Sequence, residues 1–230
     1  MEKKSIDDIL RSMKLRGYVI NERPEELNIV GIRADTTVPN KFDDTINVFW
    51  KDVNGKWNLR SYPATTDAGT YYLKNPINPA GAALVKAGQY INSHRIGTHR
   101  TYEALVQQNP ITVIRDYNRD AVLDFNNGKE QTGLFGINIH RANQYGTAID
   151  VNDYSAGCQV FANISDFNSF MDLARNHRNK YGNNFTYTLL DERSFNRAIK
   201  RRGLYVIGAC LVAVAGYFSY RFIRKGTKAI

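Results

Sequence analysis

Short apolar runs separated by turn residues recur along most of this chain. Residues 27–32, 46–50, 56–62, 71–73, 111–114, 121–125, 134–140 and 185–190 each combine β-branched or aromatic side chains with flanking Gly, Pro, Asn or Asp. That pattern predicts strands, because such side chains fit a half-buried pleated surface. Asp52-Val53-Asn54-Gly55 separates two of the runs, and Asn-Gly marks a hairpin. A shorter run, Tyr18-Val19-Ile20, precedes Pro24 and reads as another strand. Helical spacing is confined to a few places. Residues 5–16 place Ile6, Ile9, Leu10 and Met13 on one face, with Ser5 as the cap, Asp7 and Asp8 at the positive end, and Gly17 as the stop. Residues 165–176 repeat the pattern with Ser165 as the cap and Phe167, Phe170, Met171 and Ala174 inward, and residues 192–202 also read as helical. The predicted fold class is therefore mainly β (α+β), a barrel or sandwich core with flanking helices.

The last apolar run differs from all the others. Residues 204–220 read LYVIGACLVAVAGYFSY, 17 positions without a charge. As a helix they would extend about 25 Å, slightly less than a ~30 Å hydrocarbon core. Phe222 and Ile223 lengthen the apolar stretch if Arg221 snorkels, and Tyr205, Tyr217 and Tyr220 suit the interfaces. Basic clusters at 197–202 and 221–225 flank it. This predicts a C-terminal transmembrane helix, a single-pass anchor in a bacterial inner membrane or a viral membrane, rather than a buried core helix. Positive charge on both sides gives the positive-inside rule no direction to choose. The N-terminus has a short basic start with no apolar core behind it, so no secretory signal peptide is expected there. The expected organisation is an N-terminal helix and strand packing on the core (1–24), a catalytic domain (25–195) and a basic-flanked anchor (196–230).

The net charge is +9, but the positives are spread and many sit beside the C-terminal span. They suit lipid headgroups, or an anionic wall polymer, better than a DNA groove, so no nucleic acid partner is expected. The two cysteines, Cys158 and Cys210, lie in unlike settings, so a disulfide between them is not expected. No phosphate-binding glycine loop or dinucleotide fingerprint occurs, and no cofactor is expected. Asp116-Tyr117-Asn118-Arg119-Asp120 has the start of a calcium-loop spacing, but position six is Ala121 and position twelve Asn127, so a plain turn is the better reading. His94 and His99 lack a third ligand at zinc spacing. Substrate contact or an ordinary surface position suits them better. His177 falls at a polar helix end and reads as solvated.

The chemistry concentrates in Gly136-Ile137-Asn138-Ile139-His140 and Ser155-Ala156-Gly157-Cys158-Gln159-Val160-Phe161. His140 and Cys158 stand 18 residues apart (158 − 140), each at the end or start of an apolar run. An imidazole can take the proton of a thiol and make it a nucleophile. Small residues such as Ala156 and Gly157 let backbone N–H groups approach a reacting carbonyl oxygen. A lone His and Cys would equally fit a structural thiol in a core strand, but the surrounding order is more specific.

Apolar–His, a loop, then Ser-x-Gly-Cys and an apolar run resembles the signature of the L,D-transpeptidase (YkuD-like) family, across about residues 60–165. The resemblance implies a mainly β catalytic domain with its site at one edge. It implies Cys158 as nucleophile, His140 as base, and Gly157 and Cys158 as sources of oxyanion N–H groups. Ser155 would shape the loop and, with Arg141 and His99, line the substrate site. It implies peptidoglycan stem peptides as the partner, with an acyl-enzyme resolved by an amine or by water, and a phage-type lytic role is compatible. This chain departs from the pattern at Ala156, where many members have a second histidine, at Arg141, where a small residue is common, and at Gln159-Val160, where an apolar residue and Arg or Asn are usual. The last change leaves transpeptidation and hydrolysis both open. A reading of another class also stands: a non-catalytic, membrane-anchored wall-binding or virion structural module. Oligomeric state is not readable from the sequence.

The anchor reading predicts that the full-length chain resists carbonate extraction from membranes, while residues 1–200 alone are soluble, monomeric and cooperatively folded. An insoluble, unfolded product from residues 1–200 would instead make 204–220 a core helix.

Overall fold

The computed structural model describes residues 3–193. The expected anchor at 196–230, the helix expected beyond residue 193, and Cys210 lie outside them. No helix among the described residues is long and apolar enough to cross a membrane.

The chain is mainly β. The described residues form eleven strands: β1 (Asn28–Arg33), β2 (Asp44–Lys51), β3 (Trp57–Thr65), β4 (Ala82–Val85), β5 (Gly88–His99), β6 (Tyr102–Gln107), β7 (Ile111–Asp116), β8 (Lys129–Gly133), β9 (Ile139–Arg141), β10 (Gln159–Phe161) and β11 (Phe185–Asp191). Three helices accompany them: α1 (Ile6–Leu15), α2 (Thr70–Lys74) and α3 (Ile164–Tyr181). Eight strands close a barrel in the order β1-β11-β5-β6-β9-β10-β3-β2, and β4-β7-β8 form a separate antiparallel sheet. Two barrel pairs are parallel, β1 with β11 and β9 with β10. Closure removes the free edges that an open sheet would expose. The barrel is thinnest between β6 and β9, which pair in register only at Leu105 and Ile139. Beside that seam the Gln107 side chain replaces ladder bonds. Its Oε1 accepts from the N–H groups of Phe135 (3.0 Å) and Ile137 (2.9 Å), and its Nε2 donates to Gly133 O (2.9 Å).

Several elements form for the reasons the sequence supplies. Ser5 caps α1 by accepting from Asp8 N, and Ile9, Leu10 and Met13 are buried beneath it. β2 and β3 form the hairpin around Asn54-Gly55, with Gly55 at φ +79°. Phe167, Phe170, Met171 and Ala174 of α3 enter the main core beside Phe161.

Other expectations are corrected. Residues 71–73 lie in helix α2, because Tyr72 and Leu73 both donate to Gly69 O and close a turn. Residues 121–125 form no strand: Leu123 donates to Thr37 O, and Leu123 and Phe125 fill a small satellite cluster with Leu73 and Leu84. Residues 18–20 pair with a side chain rather than a strand, since Val19 N donates to Gln89 Oε1 and Gln89 Nε2 to Val19 O. Only the end of run 134–140 is strand, because Gly136 turns the chain at φ +70°. The α3 cap is Asn163, not Ser165; its side chain accepts from both Ser165 N and Asp166 N. His177, expected in solvent, is buried and accepts from Leu27 N. His94 is also fully buried, its Nε2 against Ile137 O at 2.9 Å, and burial pushes its pKa down to about 4.

A polar network runs through the buried interior. Arg33 is 1% exposed. It pairs with Asp67 at 2.7 Å and donates to Val85 O (2.8 Å) and Thr66 O (3.1 Å). Asp44 accepts from Ala34 N, Thr66 N and Thr66 Oγ1. Burial first, then the charge of Asp67, pushes the Asp44 carboxyl up to about 7 against those three donors. Tyr187, fully buried on β11, donates to Gln159 Oε1 at 2.5 Å. The Tyr187 hydroxyl fills the place where a Cβ on Gly31 would stand.

Gly31→Ala therefore forces Tyr187 out of position. It is expected to cost about 1–3 kcal/mol in urea unfolding, and less in a Tyr187→Phe background, where the obstructing oxygen is gone. Equal costs in both backgrounds would place the strain elsewhere.

Candidate active site

β9 and β10 decide the geometry. Their parallel register sets Ile139 opposite Gln159 and His140 opposite Val160. Side chains alternate along a strand, so Ile139, Gln159 and Phe161 share the buried face. His140 and Val160 share the other, and continuing the alternation brings Asn138 and Cys158 to that same side. A thiol and an imidazole 18 residues apart in sequence (158 − 140) thus become neighbours across two short strands.

Both line a cleft of about 440 Å³. One wall is the β4-β7-β8 sheet with Gly81, Ala82, Ala83 and Arg115; apolar surface comes from Tyr72, Ile77, Leu134 and Phe135. Arg100 and Asp153 supply charges of opposite sign. A second cleft of about 220 Å³ adjoins it and shares His99, Arg100, His140 and Tyr154.

His140 is 4% exposed. Its Nδ1 lies 2.7 Å from Arg141 O and 3.4 Å from the Tyr102 hydroxyl. A carbonyl only accepts, so Nδ1 carries the proton and Nε2 keeps its lone pair. Burial, the adjacent His99 and Arg100 together push His140 down to about 3. His99 stacks on it at 4.2 Å between centroids, with planes 17° apart. Asn138 orders His99 in turn: its Oδ1 accepts from Gln107 N, so its Nδ2 donates to His99 Nδ1 at 2.9 Å.

Cys158 is half-exposed at the cleft floor. Its thiol donates to Gly136 O at 3.4 Å, and its sulfur accepts from Asn138 N at 3.4 Å. Among the described residues it makes no hydrogen bond with His140. Burial pushes the thiol up to about 11; the Asn138 N–H and Arg100 pull the other way. Water at the open side of the cleft offsets part of that burial, but a single long N–H contact holds a thiolate poorly, so the direction is upward. The resting pair is thiol plus neutral imidazole.

The loop before Cys158 is tightly tied. Gly157 has φ +127°, and a Cβ there would run into Ala83 O. Its N–H donates to Ser155 Oγ at 3.1 Å, and the Ser155 hydroxyl donates to Cys158 O at 2.8 Å. Ser155 is fully buried with its hydroxyl tied into the loop, and it lines neither cleft. The Gly157 N–H is engaged by Ser155 in this state. The described hydrogen bonds include none from the Ala156 or Cys158 N–H, and of these two the Cys158 N–H is the one on the residue that carries the thiol. Arg141 lines the second cleft, stacked over Tyr102 at 4.2 Å, and His99 lines both.

Sequence reasoning missed Asn138, Tyr102, Arg100 and Tyr154. Asn138 carried a usable signal, since period-two alternation from His140 puts it on the same face. Tyr102 and Arg100 come from the β5–β6 turn, which nothing local connects to the His–Cys segment. The described residues hold no group of three or more His, Cys, Asp or Glu able to bind a metal. Asn118, Asp120 and Asp124 instead bond one another or nearby backbone within their own turn. Comparison with protein-family models, curated proteins and solved structures finds no match to this chain.

The neutral resting pair predicts slow alkylation. Iodoacetamide is expected to label Cys158 more slowly than a free thiol at pH 7, with a rate still climbing above pH 9 because only the thiolate reacts. A plateau below pH 8.5 would show a stabilised thiolate and overturn the neutral-pair assignment.

Proposed function

We propose that this protein is a cysteine-dependent enzyme acting on peptidoglycan stem peptides, similar in chemistry to the L,D-transpeptidases. The observation that carries the reading is the β9–β10 register, which brings Cys158 and His140 to one face of the sheet at the floor of a peptide-sized cleft. In this reading Cys158 attacks an amide carbonyl and its proton passes to His140 Nε2. The C–N bond then breaks, the leaving amine takes that proton, and a thioester remains on Cys158. An amine acceptor gives transpeptidation and water gives hydrolysis. Substrate supplies what the resting site lacks, since expelling water from the cleft and developing negative charge beside an N–H donor both favour proton transfer to His140. The apolar wall suits the aliphatic parts of a stem peptide, and Arg100 with Asp153 suits its charged termini. A membrane anchor at residues 204–220 would hold the domain near the wall.

A second reading is favoured by one observation: the thiol rests on Gly136 O rather than on His140. In that case the cleft binds wall peptides without turning them over, as a membrane-anchored binding or virion structural module.

Mass analysis of purified muropeptides incubated with the protein separates the two. An enzyme yields new cleaved or cross-linked species. Cys158→Ala abolishes them while retaining binding, and His140→Ala lowers turnover by about 10²-fold or more. Unchanged muropeptides with undiminished binding in Cys158→Ala would establish the binding module.

A further inference from the structure

Gln159 is a departure from the family pattern that the Ser-x-Gly-Cys resemblance leaves without a role. It is fully buried, one residue past the nucleophile, on the face opposite to Cys158. A buried amide must have its donors and acceptor met, and those partners are specific here. Gln159 Oε1 accepts from the Tyr187 hydroxyl at 2.5 Å. Its Nε2 donates to Gly157 O at 3.2 Å and lies 3.5 Å from Thr66 O. The Gly157 and Thr66 carbonyls only accept, so they fix which end of the amide is NH₂, and the Tyr187 hydroxyl holds the oxygen end by donating to it.

The Gly157 carbonyl belongs to the same peptide unit as the Cys158 N–H. All peptide bonds among the described residues are trans. In a trans peptide the C=O and N–H point in opposite directions. An amide donor drawing Gly157 O toward the buried interior therefore turns the Cys158 N–H away from it. Ser155 already occupies the Gly157 N–H and the Cys158 carbonyl. The Cys158 N–H, like the Ala156 N–H, makes none of the described hydrogen bonds, and Gln159 sets its direction.

From this geometry we infer that Gln159, held by Tyr187, is a positioning residue that aims the Cys158 N–H at the oxygen of a reacting carbonyl. The inference rests on the acyl-transfer reading of Cys158. It assigns the pair no contact with substrate. Tyr187 acts through Gln159, and both act through one peptide plane.

The test compares two reactions of the same sulfur in the full-length chain. p-Nitrophenyl acetate acylates a thiol: the C–S bond forms, the thiol proton goes to the base, the C–O bond breaks and p-nitrophenolate leaves. That route passes through an oxyanion. Alkylation by iodoacetamide displaces iodide and develops no oxyanion. Cys158→Ala serves as the blank for both. Gln159→Met is expected to lower the acylation rate at least about tenfold, less than the ~10²- to 10³-fold of losing an oxyanion donor outright because the N–H is misaimed and not removed, and to leave alkylation within about twofold. Tyr187→Phe is expected to lower acylation in the same direction by less. The double variant is expected to match Gln159→Met, because the tyrosine has no other route to the loop. Should Gln159→Met fail to fold, Tyr187→Phe decides the matter by the same acylation-to-alkylation ratio. Unchanged acylation, or acylation and alkylation falling together, would overturn the positioning role while leaving the nucleophile intact. Additive effects in the double variant would overturn the action of Tyr187 through Gln159. If p-nitrophenyl acetate does not acylate Cys158 in the wild-type chain, the nucleophile reading fails, and the positioning role with it.

Discussion

One buried guanidinium ties the two sheets together. Arg33 leaves the end of β1 and reaches Asp67 and Thr66 beyond β3, then Val85 O at the end of β4, with its plane 4.6 Å from the Phe125 ring. Barrel, small sheet and the 121–125 loop all converge on it. The cleft wall formed by Gly81, Ala82 and Ala83 stands where it does because β4 is held to the barrel at this point. Stripping a guanidinium of water costs several kcal/mol unless its donors are met. Here they meet a carboxylate and two backbone carbonyls. The cost constrains the fold, since alternative packings would strand the charge. Asp44 closes the same junction from the other side by capping Ala34 N and Thr66 N.

The loop that carries Cys158 hangs from this junction. Thr66 O receives Arg33, and Gln159 reaches toward the same oxygen while holding Gly157 O. Ser155 O accepts from Gly69 N, a few residues further along from Thr66. The loop that carries Cys158 is thus fastened at its front by Ser155, at its rear by Gln159 and against β4 by the absent side chain of Gly157. Rigid support on this scale is what a preorganised donor requires, because a reorienting N–H loses most of its electrostatic value.

How much of this the sequence disclosed follows from where each signal is local. β1, β2, β3, β7 and β11 are short apolar runs and were readable. β5 was not: GQYINSHRIGTH mixes polar and apolar positions because it meets solvent along part of one side. β8, KEQTG, has almost no apolar residue, and β10 is three residues long. The barrel's closure is a long-range property, visible only once β1 pairs with β11. At the site, His140 and Cys158 were legible because spacing and small residues mark them. The Arg141 carbonyl that orients His140, the His99 stack and the Tyr187–Gln159 bond were not, since each joins residues with no shared local pattern. The rise in the thiol pKa was unreadable for the same reason, because burial is a tertiary quantity.

The thin join between β6 and β9 has a consequence of its own. A barrel wall usually resists opening because each strand shares a run of backbone hydrogen bonds with both neighbours. Here His140 lies in β9, a strand held to β6 by one residue pair, with side-chain amides of Gln107 and Asn138 stitching the gap. Amide stitches exchange with water more readily than ladder bonds do, so the backbone at 135–139 belongs to the least protected part of the wall. The barrel wall is therefore easiest to open beside His140, at the place where the sheet is least finished.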